Sequence, residues 1–445
     1  NMIFTIHAKK ENDEKIFTYD NMNSILKDDK DNIIVDKKIS NESIEWNHYP
    51  QTSKETPNNK LHHINWLKIQ LGFSCNYSCE YCSQRFVPHN EETDGTPRDV
   101  QIFLNNLDTW LYSAPNRIEY WGGEPFVYWK TLKPLVEALR QRYSSDTTSM
   151  LITTNGSLLT YEINEWLDKM DISVAISHDG PGQWVRGPDP LDDPEQKKII
   201  LDLYNRLIGK KYGGVSFNSM INRHNNDRTK VQEWFENLLG KDNLYNIGEG
   251  AFVDPYDEGG MANSLQDENE RKEFRTRSMN QVRNNQNLMF GQLNDRISEW
   301  IFSISIHRPA YTIGQKCGMD HPDTMAVDLK GNVLTCQNVS NIAIAPNGLS
   351  HKIGHVSNLE NVKLQTATHW NKRKECKDCP VLQVCKGSCM FLEDTEKQNL
   401  WTMACNNAYN DHIPLFAAAI EKMTGYLPYK ITSENLPEER SNLWN

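Results

Sequence analysis

The chain has 445 residues, 24% of them charged and 38% hydrophobic, enough for two or three domains with their own cores. Its 48 Lys plus Arg against 59 Asp plus Glu give a net charge of -11, with no basic run longer than Asn371 to Lys374, so nucleic acid is not an expected partner. No apolar run of about 18 residues could span a bilayer, and the N-terminus lacks the basic start, apolar core and cleavage site of a secretory signal; no membrane contact and a cytoplasmic location are therefore expected.

In chain order, residues 1–64 read as an N-terminal appendage, with alternating pieces "MIFTIH" and "KIFTYD" around a polar turn predicting a small β-hairpin-like unit. From His62 an apolar strand, a turn and an amphipathic helix recur, the pattern of a parallel sheet covered by helices. Strands are predicted in "INWLKIQLGF" from Ile64, "RIEYWGG" from Arg117, "SMLITTNG" from Ser149, "DISVAISHDG" from Asp171, "GVSFNSMIN" from Gly214 and "YNIGEGAFVD" from Tyr245. Helices are predicted between them, over 98–113, 129–145, 161–170, 194–209 and 228–240, each with apolar residues at helical spacing. Six such repeats over residues 65–285 fit an α/β fold, a β/α barrel or a partial (β/α)6 TIM barrel, whose strand C-termini carry the chemistry. Residues 286–405 begin with a helical stretch, Asn287 to His307, and continue as a cysteine-rich segment with little periodicity, expected to fold around metal. Residues 406–445 hold one amphipathic helix, "HIPLFAAAIEKMTGYL", and a polar tail.

The ten cysteines are distributed unevenly. Three lie at 75, 79 and 82, seven lie at 317, 336, 376, 379, 385, 389 and 405, and the 234 residues between Cys82 and Cys317 hold none. Random placement would produce a given three-position pattern about 0.005 times, and cytosolic thiols are more often metal ligands than disulfides. Three close thiolates can hold three irons of a 4Fe-4S cube and leave the fourth open. Zinc is the alternative, with His89 as a fourth ligand for the first group and "CKDCPVLQVC" as a ribbon in the second.

The C-x3-C-x2-C array Cys75, Cys79, Cys82, with Tyr81 before its last cysteine and directly after a first strand, resembles the radical S-adenosylmethionine (SAM) superfamily. The resemblance implies that the open iron chelates SAM and that one electron cleaves it to methionine and a 5'-deoxyadenosyl radical. "WGGEPF" resembles the family's GGEP motif, which implies close approach to the ligand at Gly122 and Gly123 and acceptance from the SAM ammonium by Glu124. "SHDGPGQWVRG" resembles the segment that contacts the ribose, through Ser177 and Asp179, and the methionine carboxylate, through Arg186; the family more often has an apolar residue where His178 stands. "TTNG" resembles the third strand end, with Asn155 a cofactor contact or a turn former.

The second set, Cys317, Gly331, Cys336, then Cys376-x2-Cys379-x5-Cys385-x3-Cys389 and Cys405, resembles the seven-cysteine SPASM extension. The resemblance implies two auxiliary clusters, one on Cys376, Cys379, Cys385 and Cys405 and the other on Cys317, Cys336 and Cys389 with one site open, for three 4Fe-4S clusters in all. It also implies modification of a peptide or protein, with a flavodoxin- or ferredoxin-type reductant. Sulfatase-maturating members carry an Asp base after the second SPASM cysteine, where this chain has Gln337, and radical epimerases use a cysteine outside the clusters, of which none is left. The expected reaction is a two-electron oxidation that closes a thioether or carbon-carbon cross-link, including cyclophanes. Oxidation of an alcohol or amino sugar, formylglycine formation and a non-enzymatic iron-sulfur interaction module are the alternatives. Residues 1–64 read as too short and strand-poor for a winged-helix leader-binding domain, so a separate peptide-recognition protein, or direct recognition by the chain itself, is expected.

Overall fold

A computed structural model of the chain describes residues 2–39, 52, 53, 55–241, 246–284, 292–364, 368–392 and 398–445. At the N-terminus β1 (Ile3–Lys10) and β2 (Asp13–Asp20) form an antiparallel hairpin that β3 (Ile25–Lys27) extends. Alternation along β1 turns Phe4, Ile6 and Ala8 inward. After the two-residue β4 (Asn58–Asn59) the α/β repeat runs β5 (Trp66–Gln70), α1 (Pro97–Asn106), β6 (Arg117–Trp121), α2 (Trp129–Arg142), β7 (Ser149–Thr154), α3 (Tyr161–Lys169), β8 (Ile172–Ser177), α4 (Pro194–Leu207), β9 (Val215–Ile221), α5 (Arg228–Leu239) and β10 (Ile247–Phe252). The expected six strands and five helices are thus present. Side chains of Thr96, Thr160, Asp193 and Asp227 cap the first turns of α1, α3, α4 and α5, which is why these helices start where they do.

Three helices follow, α6 (Glu258–Ala262), α7 (Glu268–Asn284) and α8 (Gln292–Ile306). The boundary expected at 285/286 and the start of the helical stretch at Asn287 lie outside the described residues. Next come β11 (Thr324–Asp328), β12 (Asn332–Leu334), β13 (Lys352–His355), β14 (Lys363–Leu364), α9 (Leu382–Cys385), α10 (Gln398–Thr424), β15 (Leu427–Thr432) and α11 (Glu438–Ser441).

The central sheet has nine strands in the order β10-β9-β8-β7-β6-β5-β11-β12-β13. The first seven are parallel, and β12 and β13 are antiparallel additions. Because β5 to β10 run side by side in chain order, their C-terminal ends lie along one edge of the sheet, and the loops that leave them meet there. The main core lies between sheet and helices, including Leu67, Ile118, Ile152, Val174, Leu135 and Leu203.

Three expectations need correction. The cysteine-rich segment is not folded around its thiols alone: β11 to β13 extend the central sheet, and Met325, Val327 and Val333 join the main core. The N-terminal hairpin is present but does not stand apart as an appendage: β15 pairs with β1 to complete a four-stranded sheet, β15-β1-β2-β3, packed on α7, α8 and α10 through Phe4, Tyr19, Trp300 and Phe416. The C-terminal helix begins earlier than expected and is buried on every side from Asp411 to Ile420, apolar all round from Ile413 onward, with Asp411 held by Arg228 and Arg296. The segment after it is a strand, not a tail.

Candidate functional site

Cys75, Cys79 and Cys82 stand in the loop between β5 and α1 and face one cavity of about 460 Å³. Ser74, Gly123, Glu124, Thr153, Asn155, Ser177 and Arg186 face the same space. A second cavity of about 340 Å³ shares Cys79, Cys82, Gly123, Ser177 and Arg186 with it and adds Tyr81, Gly122, Met220, Asp254, Tyr256 and Asn338. A third, of about 240 Å³, shares Tyr256 and Asn338 with the second and reaches Cys336 and Cys389. Residues at the ends of all six strands thus line one chain of cavities that runs from the first cysteine group to the second.

Gly123 N–H donates to Gly72 O at 3.1 Å and Glu124 N–H to Ser74 O at 3.0 Å, fastening the GGEP loop to the cysteine loop. A Cβ on Gly123 would lie 2.4 Å from Ser74 O, whereas one on Gly122 would meet nothing closer than 3.6 Å. The requirement for glycine at 123 is therefore imposed by the neighbouring loop. Glu124 is buried; its carboxylate accepts from Thr154 Oγ1 and Asn155 N–H at 2.8 Å and from Phe126 N–H at 3.2 Å. Burial raises its pKa and these donors oppose the shift. Asn155 does more than make a turn, since its Nδ2 donates to Asn76 Oδ1 in the cysteine loop at 2.9 Å.

Asp179, expected at the ribose, is already engaged within the protein. It is fully buried, stands behind the cavity wall, and accepts from Tyr81 Oη and from Met220 N–H at 2.9 Å. Tyr81 Oη in turn accepts from Arg186 Nη1 at 2.9 Å. Ser177 and Arg186 face the cavities directly, and Arg186 Nε is buried with no partner among the described residues. His178 is satisfied inside the fold: Nδ1 accepts from Gly180 N–H at 3.0 Å, Nε2 meets Asp189 at 2.9 Å, and the ring stacks on Trp234 at 4.8 Å. An imidazole occupies an otherwise apolar position because Asp189 and Gly180 supply its partners. Gln337 holds a loop in place: its Oε1 accepts from Lys68 Nζ at 3.3 Å, and its carbonyl accepts from Gln70 Nε2.

The thiols sort into groups by the neighbours that act on them. Burial pushes Cys79 up to about 11, with Cys82 and Cys75 adding to the shift. Burial likewise raises Cys376 well above the ordinary thiol value and Cys405 to about 12, with Cys405, Cys385 and Cys379 acting on the first and Cys385 and Cys379 on the second. Cys336 rises to about 11 and Cys389 to about 12, mainly by burial, and Cys317 acts on both. Crowded, partly buried thiols of this kind hold their protons unless a cation such as a metal stabilises the thiolate. Backbone amides already point at two of the sulfurs, Tyr77 N–H to Cys75 and Asn338 N–H to Cys336, each at 3.4 Å. Such donors stabilise ligating sulfur, so the donor set fits iron-sulfur clusters. His89 also faces the first cavity. Among the described residues no three Cys, His, Asp or Glu side chains converge on a point where a single metal ion would sit.

Sequence reasoning passed over Lys68, Asn338, Tyr256 and Asp254. Asp254 ends the sixth predicted strand, and the strand-end rule that marked Asp179 would also have found it. Lys68 and Asn338 carried no such local signal.

No family model matches the chain. The radical SAM cyclopropyl synthase TigE of Paramaledivibacter caminithermalis is 26% identical over 212 residues, 43% of this chain and 42% of that protein. An uncharacterised protein of Methanocaldococcus jannaschii is 29% identical over 114 residues, 26% of this chain and 38% of that one. The chain therefore spans about two fifths of the length of the curated relatives it matches. The fold is similar to solved structures of anSMEcpe. The native protein with bound AdoMet and Cp18Cys peptide has a TM-score of 0.51 at 15% identity over 80% of this chain and 99% of that one. The native protein with bound AdoMet alone has a TM-score of 0.52 at 16% identity over 80% of this chain and 99% of that one. No helix among the described residues is long and apolar enough to cross a membrane.

Proposed function

We propose, from the premise that this chain belongs to the radical SAM/SPASM superfamily, that it reductively cleaves SAM and oxidises a ribosomal peptide or protein side chain, closing an intrapeptide bond. The six-strand run reads as a partial barrel over 65–285, and 286–405 as the SPASM segment with two auxiliary clusters. The observation that carries the reading is the chain of cavities that joins Cys75, Cys79 and Cys82 to Cys336 and Cys389 through Tyr256 and Asn338.

A 4Fe-4S cluster on the first three cysteines, with SAM on its open iron, would supply one-electron cleavage of the sulfonium. Glu124 keeps lone pairs beside its backbone donors and would accept from the SAM ammonium. Arg186, with an unpartnered Nε, would meet the carboxylate. Ser177 would contact the ribose, while Asp179 would act from behind by fixing Tyr81 and Arg186. Cys317, Cys336 and Cys389 would hold one auxiliary cluster, and Cys376, Cys379, Cys385 and Cys405 the other. A flavodoxin- or ferredoxin-type protein would deliver the electron, and a separate protein would help present the peptide.

The relative named as a cyclopropyl synthase supports ring closure as the class of reaction, and the neighbour with a bound peptide supports a peptide substrate. The test has two stages. Anaerobically reconstituted enzyme with dithionite should form 5'-deoxyadenosine. Co-expression with a genetically encoded peptide library, read by mass spectrometry, should then yield a peptide about two mass units lighter with a new internal bond. Intact SAM would end the reading, and an isobaric product with solvent deuterium at an α-carbon would replace cross-linking with epimerisation.

A further inference from the structure

Joining a carbon radical to a neighbouring group Y–H makes the C–Y bond and leaves one proton and one electron to be removed. An iron-sulfur cluster is the chemical class that takes the electron in the function proposed above, on which this inference rests. The proton has no acceptor at Gln337, a neutral amide committed to Lys68. The cavities contain another candidate.

Asp254 stands two residues after the end of β10 and lines the 340 Å³ cavity together with Cys79, Cys82 and Arg186. One carboxylate oxygen, Oδ1, accepts from Ser388 Oγ at 2.7 Å, its one hydrogen bond among the described residues. Oδ2 has no such partner. Ser388 precedes Cys389, so the bond also fixes Asp254 between the first cysteine group and the second. Asp254 is half-buried at the cavity wall, and a single hydroxyl is its hydrogen-bond partner among the described residues. Its cavity neighbour Tyr256 links this space to Cys336 and Cys389. Burial raises the pKa of Asp254, against opposing effects from Lys316 and Ser388, which makes its anion a stronger base than an exposed carboxylate.

We propose that Asp254 is the proton acceptor for bond closure: the substrate C–H loses a hydrogen atom to the 5'-deoxyadenosyl radical, Y–H loses its proton to Oδ2 as the C–Y bond forms, and the remaining electron leaves to the cluster. Asp254 thereby occupies the chemical role vacant at Gln337, from a different element of the fold. Gln337 alone consequently excludes no proton-releasing oxidation, and the identity of the product separates cross-link from formylglycine.

The test uses reconstituted holoenzyme and the peptide whose mass falls by two in the co-expression screen, synthesised with deuterium at the reacting carbon. Asp254→Asn should still form 5'-deoxyadenosine, show the electron paramagnetic resonance signals of the reduced clusters, and still transfer deuterium to 5'-deoxyadenosine. Its cross-linked product per 5'-deoxyadenosine should fall by about 100-fold or more, and Asp254→Glu should restore part of it. Wild-type coupling in Asp254→Asn overturns the proposal, as does loss of deuterium transfer, which would make Asp254 a binding residue. Failure of the wild-type enzyme to form 5'-deoxyadenosine would overturn the underlying function instead.

Discussion

Replacing Gly123 by Ala tests whether contact between two loops builds the site. The added Cβ would lie 2.4 Å from Ser74 O, 2.5 Å from Phe73 O and 2.7 Å from Ser74 C, all backbone atoms that no side-chain rotation can move away. Real Cβ contacts essentially never fall under 3.0 Å, so the GGEP loop and the loop before Cys75 must separate by at least about 0.6 Å. That separation stretches the 3.1 and 3.0 Å hydrogen bonds from Gly123 and Glu124. Overpacking of this kind costs about 1–3 kcal/mol, a modest loss of thermal stability. Chemistry suffers more, because a misplacement of about 1 Å can cost about 100-fold. Gly123→Ala should therefore lower the initial rate of 5'-deoxyadenosine formation by roughly 10- to 100-fold, with the clusters of the second cysteine group retained. Gly122→Ala, whose Cβ would have ordinary clearance of 3.6 Å from the protein, is the control for packing and should keep a melting temperature close to wild type. An equal loss of melting temperature in both, or full activity in Gly123→Ala, would refute the packing argument.

Reconstituted protein should carry about twelve irons and twelve sulfides per chain; an active preparation that contains zinc and no iron would contradict this. Simultaneous change of Cys75, Cys79 and Cys82 to Ala should abolish 5'-deoxyadenosine while about eight irons remain, and undiminished cleavage would overturn the division of roles. Asp411 is buried between Arg228 and Arg296, and although burial alone would raise its pKa, Arg296, His412 and Arg228 hold it well below the usual carboxylate range. Its contribution is fully present above the unfolded value of about 3.9 and is lost as pH falls through the depressed folded value. Asp411→Asn should thus cost about 3–5 kcal/mol at pH 7, and the gap in melting temperature from wild type should narrow only below about pH 4. A gap that closes already between pH 7 and pH 5 would refute the assignment.

The six parallel strands were legible because burial on both faces writes them as short apolar runs such as "SMLITT" and "ISVAIS", each followed by a helix with a clear stripe. The same logic explains what was missed. β11 and β12 are five and three residues long, lack an intervening helix, and are set among cysteines that dominated the reading. In α7 buried Arg275 and Ser278 lie beside Phe274 and Met279, so no apolar stripe announces the helix. Arg275 is buried because the chain's end supplies its acceptors, including Leu443 O at 2.7 Å and Asn442 O at 3.0 Å. The pairing of β1 with β15 joins segments more than 400 residues apart, with Thr5 opposite Thr432. No local pattern encodes such a partner.

The site divides along the same line. Residues proposed to hold one cluster are close in sequence because a loop must wrap a small object, so the groups Cys75, Cys79, Cys82 and Cys376, Cys379, Cys385 stand out by spacing. A proton acceptor faces no such constraint, since it needs only to reach the reacting atom, and any strand end that opens into the cavity can supply it. The position after Cys336 is one such place and the end of β10 is another. In this chain Gln337 fixes its loop to β5 through Lys68 and Gln70, while Asp254, across the cavities, has a carboxylate oxygen with no hydrogen-bond partner among the described residues. A motif comparison registers the first as a loss. The fold, by bringing the end of β10 to the same space, offers a carboxylate where the motif has none, and the chemistry excluded by one residue becomes available through another.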